Sequence, residues 1–197
     1  MPSVLAGENA ALDTTTPHPD ALLNPVAALP YPSHVLATLA VRLTSDLTQV
    51  QRDQTASEAD LATSLSSLGI RLSEVGRWGE ALEAELEAVE IRRRLADPVT
   101  GQPAAAHEPD LAHSLYVWAA LLFWGQQISG ALQATNEAVE IYRKLMSARP
   151  AQHLILSPLR AVLSLQAEIL DGLGRFQEAK AIRVWLAANP EPPDSSK

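Results

Sequence analysis

The feature that most constrains this chain is an ungapped match to itself. Residues 60–95, DLATSLSSLGIRLSEVGRWGEALEAELEAVEIRRRL, return at 110–145 as DLAHSLYVWAALLFWGQQISGALQATNEAVEIYRKL, with 16 of 36 positions identical at a constant offset of 50. A fixed period of this size belongs to a stack of like units, each burying its apolar face only against the next copy. The pattern inside the match defines the unit. Leu61, Leu65, Leu68 and Leu72 share one helical face, opened by Ser57 or Asp60, and Gly76 follows with the left-handed freedom in which helices commonly end. A second helix is predicted from about Trp78 to Ala96, burying Ala81, Leu82, Leu86, Val89 and Leu95. Its glutamates between 80 and 90 precede Arg92, Arg93 and Arg94, the order that complements a helix dipole.

The rest of the chain is divided by the same reasoning. Prolines at 2, 17, 19, 25, 30 and 32 interrupt any long helix in 1–32, which reads as a disordered arm. Segment 33–56 reads as an extra amphipathic helix, capped by Ser33, with Val35, Leu36, Leu39, Leu43, Leu47 and Val50 on one stripe that should pack inward. It either caps the first face of the stack or lies across its groove. The repeats are placed at 57–108, 109–157 and 158–189. Pro109 is expected to close the 97–109 linker, with Asp110 capping the helix of about 110–125, followed by one over 129–147. A third, weaker copy begins after Pro158, with helices near 159–172 and 176–188. Its Gly174-Arg175-Phe176-Gln177-Glu178-Ala179 echoes Gly76-Arg77-Trp78-Gly79-Glu80-Ala81. Residues 190–197 read as a disordered tail.

Composition narrows the chemistry. A formal net charge of −8 supplies no basic footprint for a phosphate backbone and opposes docking on an anionic leaflet, so neither nucleic acid nor membrane is expected as a partner. With no cysteine, disulfides, thiolate metal sites and a cysteine nucleophile are excluded. None of the five histidines is spaced from another, or from a carboxylate pair, as metal ligands are, and His113 beside Asp110 reads as a solvated side chain next to a cap. The Glu-rich face of 80–90 reads as solvated, with no raised pKa. Phosphate-cradling glycine loops and a nucleophile elbow are absent, so no cofactor and no catalytic residue is assigned. The first residues lack a signal-peptide pattern, and the densest apolar run, 115–124, is half the ~20 residues of a spanning helix; a cytoplasmic protein is expected.

At Leu65, Leu68-Gly69, Leu72 and Ala81 the chain resembles the tetratricopeptide repeat, in the long-repeat form of kinesin light chains. The matching positions are Leu115, Trp118-Ala119, Leu122 and Ala131 in the second copy, and Leu163, Gln166-Ala167, Leu170 and Ala179 in the third. The large aromatic of the short form, midway along the second helix, is replaced by Glu85, Thr135 and Arg183, and the period exceeds 34 residues; both suit the long form. The resemblance covers 57–189. It implies an all-α, tetratricopeptide-like helix-pair solenoid of about three repeats with an extra N-terminal helix, and a non-enzymatic role in binding proteins or peptides.

That geometry would line a concave groove with the first helix of each repeat, at His113, Tyr116, Ala120, Phe123 and Trp124 in the middle one. The same slots hold Thr63, Ser66, Ile70, Ser73 and Glu74 in the first repeat, and Ala161, Ser164, Glu168, Asp171 and Gly172 in the third. Only the middle repeat is aromatic there, which gives an apolar centre with a polar rim, the form of a binding hot spot. Two occupants of this patch stay open, the chain's own 33–52 helix or a partner peptide or helix. A clamp for acidic C-termini is disfavoured, because the slots carry Ser66, Ile70 and Tyr116 where such a clamp needs bases and amides. The alternative function is a sensor that encloses a small apolar ligand or signalling peptide in a cavity lined by Trp118, Phe123 and Trp124. At the far end, Val184 and Trp185 lie near a face no helix covers, which predicts either self-association through the third repeat or covering by the N-terminal arm.

Overall fold

The computed structural model describes residues 32–53, 57–97, 104–148 and 152–191. The expected arm before residue 32 and the tail from 192 lie outside these residues. Among the described residues there are seven α-helices and no strand: α1 (Pro32–Asp53), α2 (Glu58–Glu74), α3 (Trp78–Leu95), α4 (Ala104–Trp124), α5 (Ile128–Ala148), α6 (Gln152–Gly172) and α7 (Phe176–Ala188). Three antiparallel hairpins, α2/α3, α4/α5 and α6/α7, stack so that α3 packs on α4 and α5 on α6. The architecture is the all-α helix-pair solenoid with an extra N-terminal helix.

Small residues at the crossings let the helices approach closely. Ala62, Ala81, Ala88, Ala112, Ala119, Ala131, Ala138 and Ala179 are fully buried, and around them lie Leu65, Leu115, Val89, Leu159 and Ile169. Gly69 marks one crossing, since a Cβ there would stand 3.1 Å from the Ala81 carbonyl oxygen. Ser57 caps α2, its Oγ accepting from the Asp60 N–H at 3.2 Å. Each hairpin turn places one residue at positive φ: Gly76 at 79°, Gln126 at 62° and Gly174 at 73°. Past each of these the next N–H folds back onto the helix just ended, Arg77 to the Leu72 carbonyl at 2.9 Å, Gln127 to Leu122 at 2.8 Å and Arg175 to Leu170 at 2.8 Å.

Several expectations need correction. The helix begins at Pro32, so Ser33 lies inside α1; proline is well placed at a helix start because its missing N–H has no partner there. Helix α4 begins at Ala104 and runs through Pro109 and Asp110, so neither closes a linker nor caps it, and α6 similarly contains Pro158. Both prolines fall within the first two turns, where a single broken backbone bond is tolerated in an otherwise apolar helix. In α3 the buried face is rotated from the expected one. Leu86 is exposed, whereas Glu85 and Arg92 are buried one turn-pair apart.

The largest correction concerns α1. Its leucine stripe does not pack inward; Leu36, Leu39, Leu43, Leu47 and Val50 all face solvent, and the buried residues are Ala37, Val41 and Thr48. This narrow face fits against α2 because Thr44 and Thr48 turn their hydroxyls back to the carbonyls of Ala40 and Thr44, each at 2.8 Å, leaving methyls at the contact. Helix α1 thereby occupies the position that the second helix of a preceding unit would hold. It packs on α2 as α3 does on α4, and its Arg52 pairs with Glu87 of α3 as Arg93 of α3 pairs with Glu137 of α5, the residue at Glu87 + 50 in the repeat.

At the other end, Val184 is exposed, but Trp185 is half-buried against the cluster of Leu159, Val162 and Leu163. The Arg160 guanidinium holds this end by donating to the Leu186 carbonyl at 2.6 Å and to that of Asn189.

Candidate functional site

An apolar cleft of about 540 Å³ lies between the first and second hairpins. Helix α2 contributes Ile70, Ser73 and Glu74, the start of α3 contributes Trp78, and α4 contributes Tyr116, Val117, Ala120, Leu121, Phe123 and Trp124. Gln126, in the turn after α4, closes one side. The tryptophans meet edge to face with ring centroids 6.3 Å apart and planes at 63°. That arrangement sets the positive edge of one ring against the negative face of the other. Each still exposes over two fifths of its surface. Such exposure on paired large aromatics is unusual for residues that serve only a chain's own core.

Of the five residues read from the sequence, Tyr116, Ala120, Phe123 and Trp124 line this cleft, and His113 does not. His113 lies further along α4, exposed, with its ring 6.4 Å from that of Tyr116. Trp118 points elsewhere, half-buried against the cores on the other side of α4, so the enclosed cavity that it was to line with Phe123 and Trp124 is not formed. Helix α1 does not fill the cleft; it packs on the flank of α2.

Trp78 was missed by the sequence reading, where it served only as part of a turn motif. Its signal was present, for the aligned residue of the third repeat is again aromatic, Phe176, and both are exposed at the start of a second helix. At the polar rim, Arg71 Nη1 donates to the Glu74 carboxylate at 3.0 Å and 3.2 Å. Burial, and after it the Glu168 carboxylate, raise the pKa of the Tyr116 phenol, which keeps it a neutral hydroxyl.

A turn away along α2 and α4 is a buried polar network that the sequence reading excluded. Glu85, expected on a solvated face, is completely buried. Its Oε1 accepts from the Ser66 hydroxyl at 3.0 Å, Ser66 and Ser114 share a bond of 3.1 Å, and the Arg92 guanidinium donates to both serines and to Thr63. Burial pushes the Glu85 carboxyl up to about 7 against the opposing pull of Ser114, Ser66 and Arg92. Ser66, assigned to the groove, is thus a member of the seam. The network joins α2, α3 and α4.

Among the described residues no cluster of His, Asp or Glu could hold a metal ion, and no helix is long and apolar enough to cross a membrane.

Residues 61–98, which hold α2 and α3, match the family model of the tetratricopeptide repeat. No curated protein matches the chain. Among solved structures, the chain is similar to the nearly identical TPR-like repeats of a Podosopora anserina protein described as a putative kinesin light chain. That match has 17% identity and a TM-score of 0.44, covering 86% of this chain and 94% of that one. A single-substitution form of the same repeats gives 17% identity and a TM-score of 0.45, with 86% and 93% covered.

Proposed function

We propose that the chain is a tetratricopeptide-repeat protein, a non-enzymatic helical interaction module that captures a peptide or helix of a partner protein in the cleft between its first two hairpins. The anchoring residues are Tyr116, Phe123 and Trp124 on α4, with Trp78 facing them from α3. His113 and Ala120 extend the same surface along α4. The observation that carries the reading is the half-exposed Trp78–Trp124 pair over an apolar floor, open to solvent and rimmed by Ser73, Glu74 and Gln126. Aromatic anchors with a polar rim are what a binding hot spot needs, because the rim excludes water while the rings supply the contact area. The ligand class follows from the lining: an apolar or aromatic side chain inserts between the tryptophans, on a segment that is neutral or basic beside Glu74.

The alternative, a sensor of a small apolar ligand, draws on the cleft volume, which lies within the range of small-molecule sites. It is weaker, because an apolar small ligand requires enclosure, and Trp118 packs away from the cleft.

Peptide-display selection on the wild type alone tests the proposal. Selected peptides should bind the wild type and lose at least about tenfold in affinity on Tyr116→Ala, Trp78→Ala or Trp124→Ala, about 1.4 kcal/mol or more each, with thermal unfolding little changed. Peptides that bind wild type and all three variants alike would exclude this cleft as the site.

A further inference from the structure

We propose that two copies of this chain pair antiparallel along the outward face of α1, about a two-fold axis at Leu43. Among the described residues, every other second-type helix followed by a further hairpin is covered on two sides, α3 by α2 and α4, α5 by α4 and α6, whereas α1 packs chiefly on α2. Its opposite face carries Leu36, Leu39, Leu43, Leu47 and Val50, between 45% and 63% exposed. Helical geometry, at 100° per residue, puts all five within about 40° of the Leu43 direction, so they form one straight ridge.

The spacing of that ridge selects its occupant. Leu36 and Val50 lie seven residues either side of Leu43, and Leu39 and Leu47 lie four either side. A stripe that reads the same in both directions is complementary to itself when turned through a two-fold axis, as an isologous dimer requires. Leu36 then meets Val50 of the partner, Leu39 meets Leu47 of the partner, and Leu43 meets its own copy. Charge agrees with this direction. Arg42 and Asp46 flank the ridge on the same side, and a two-fold pairing centred on Leu43 brings Arg42 within about 3 Å, along the axis, of Asp46 of the partner, twice over. A parallel pairing would instead place the two copies of this charged flank on opposite sides of the ridge, where they could not pair. The chain preceding α1 is a poorer occupant, because prolines at 17, 19, 25 and 30 interrupt any helix long enough to lie along the ridge. At the other end of the stack Leu173 lies in the turn before α7 and only Phe176 and Val184 of α7 are exposed large apolar residues, a shorter patch than the five-residue ridge, so the self-association first assigned to the third repeat is placed here at α1.

The 197-residue chain, which has no cysteine of its own, gives a direct test. Leu43→Cys should form an intermolecular disulfide on mild oxidation. Leu36→Cys should not, since the two copies of position 36 would lie about 21 Å apart along the helices, but it should cross-link to a Val50→Cys chain mixed with it. By sedimentation at about 100 µM the wild type should be a dimer and Leu43→Glu a monomer of unchanged helix content. Arg42→Asp should weaken the dimer, and Arg42→Asp with Asp46→Arg should restore it. A monomeric wild type that does not cross-link at position 43 overturns the proposal and leaves the preceding segment as the cover. A dimer that survives Leu43→Glu, or that cross-links at position 36 alone, overturns it as well.

Discussion

The Ser66 hydroxyl donates to Glu85 Oε1 at 3.0 Å inside the seam of α2, α3 and α4, where Glu85 has no exposed surface. The burial of this carboxyl, which its hydrogen bonds only partly offset, makes the stack sensitive to pH. In the unfolded chain Glu85 ionises near 4.5, and in the fold burial holds its carboxyl up to about 7. Below 4.5 both states are protonated and there is no penalty. Between 4.5 and 7 the unfolded state releases its proton while the fold keeps it, so stability falls as pH rises, and above 7 the whole penalty is present. The shift corresponds to about 3 kcal/mol. Urea unfolding between about pH 4.5 and 8 should show this loss in the wild type, and Glu85→Gln, which keeps the acceptor for Ser66, should be flatter by that amount. Equal pH profiles would show that Glu85 is not held protonated.

Two glycines should respond to alanine with opposite signs. At Gly69 the new methyl would stand 3.1 Å from a backbone oxygen of α3 that cannot move without shifting the helix, so Gly69→Ala should destabilise by about 1 kcal/mol despite its better helix propensity. At Gly79 nothing lies within 4 Å, and Gly79→Ala should stabilise by about 0.5 kcal/mol. Chemical denaturation of the two variants side by side checks the signs, and a stabilising Gly69→Ala would contradict the close crossing of α2 and α3.

The turns give a third expectation. The positive φ positions coincide across the repeats, but the middle one is filled by Gln126 in place of glycine. A non-glycine residue there carries about 1 kcal/mol of backbone strain. Gln126→Gly should therefore stabilise slightly, and Gly76→Ala should destabilise, by about 1 kcal/mol or less in each case. Calorimetry decides, and no change in either variant would indicate that the turns relax freely.

Much of the stack was legible because its signals are local. The ungapped offset of 50, the leucine faces and the turn glycines gave the hairpins, and the differences between the copies pointed to Tyr116, Phe123 and Trp124, which line the cleft. Trp78 was harder, since its role depends on the second hairpin bringing Trp124 to it. Glu85 was read by its neighbours in sequence, a run of solvated glutamates. Its burial follows from partners 19 and 29 residues away, Ser66 and Ser114, which no helical pattern connects.

By itself the sequence determined the helices, their pairing and the repeat, because periodicity, caps and small residues at crossings act within one unit and its copy. Only the tertiary structure decided which face of α1 turns inward. Helical periodicity marks a leucine ridge but not what lies opposite it, and the surface that α2 offers is filled by Ala37, Val41 and two threonines whose hydroxyls bond to their own helix. Among the described residues the ridge is left facing outward.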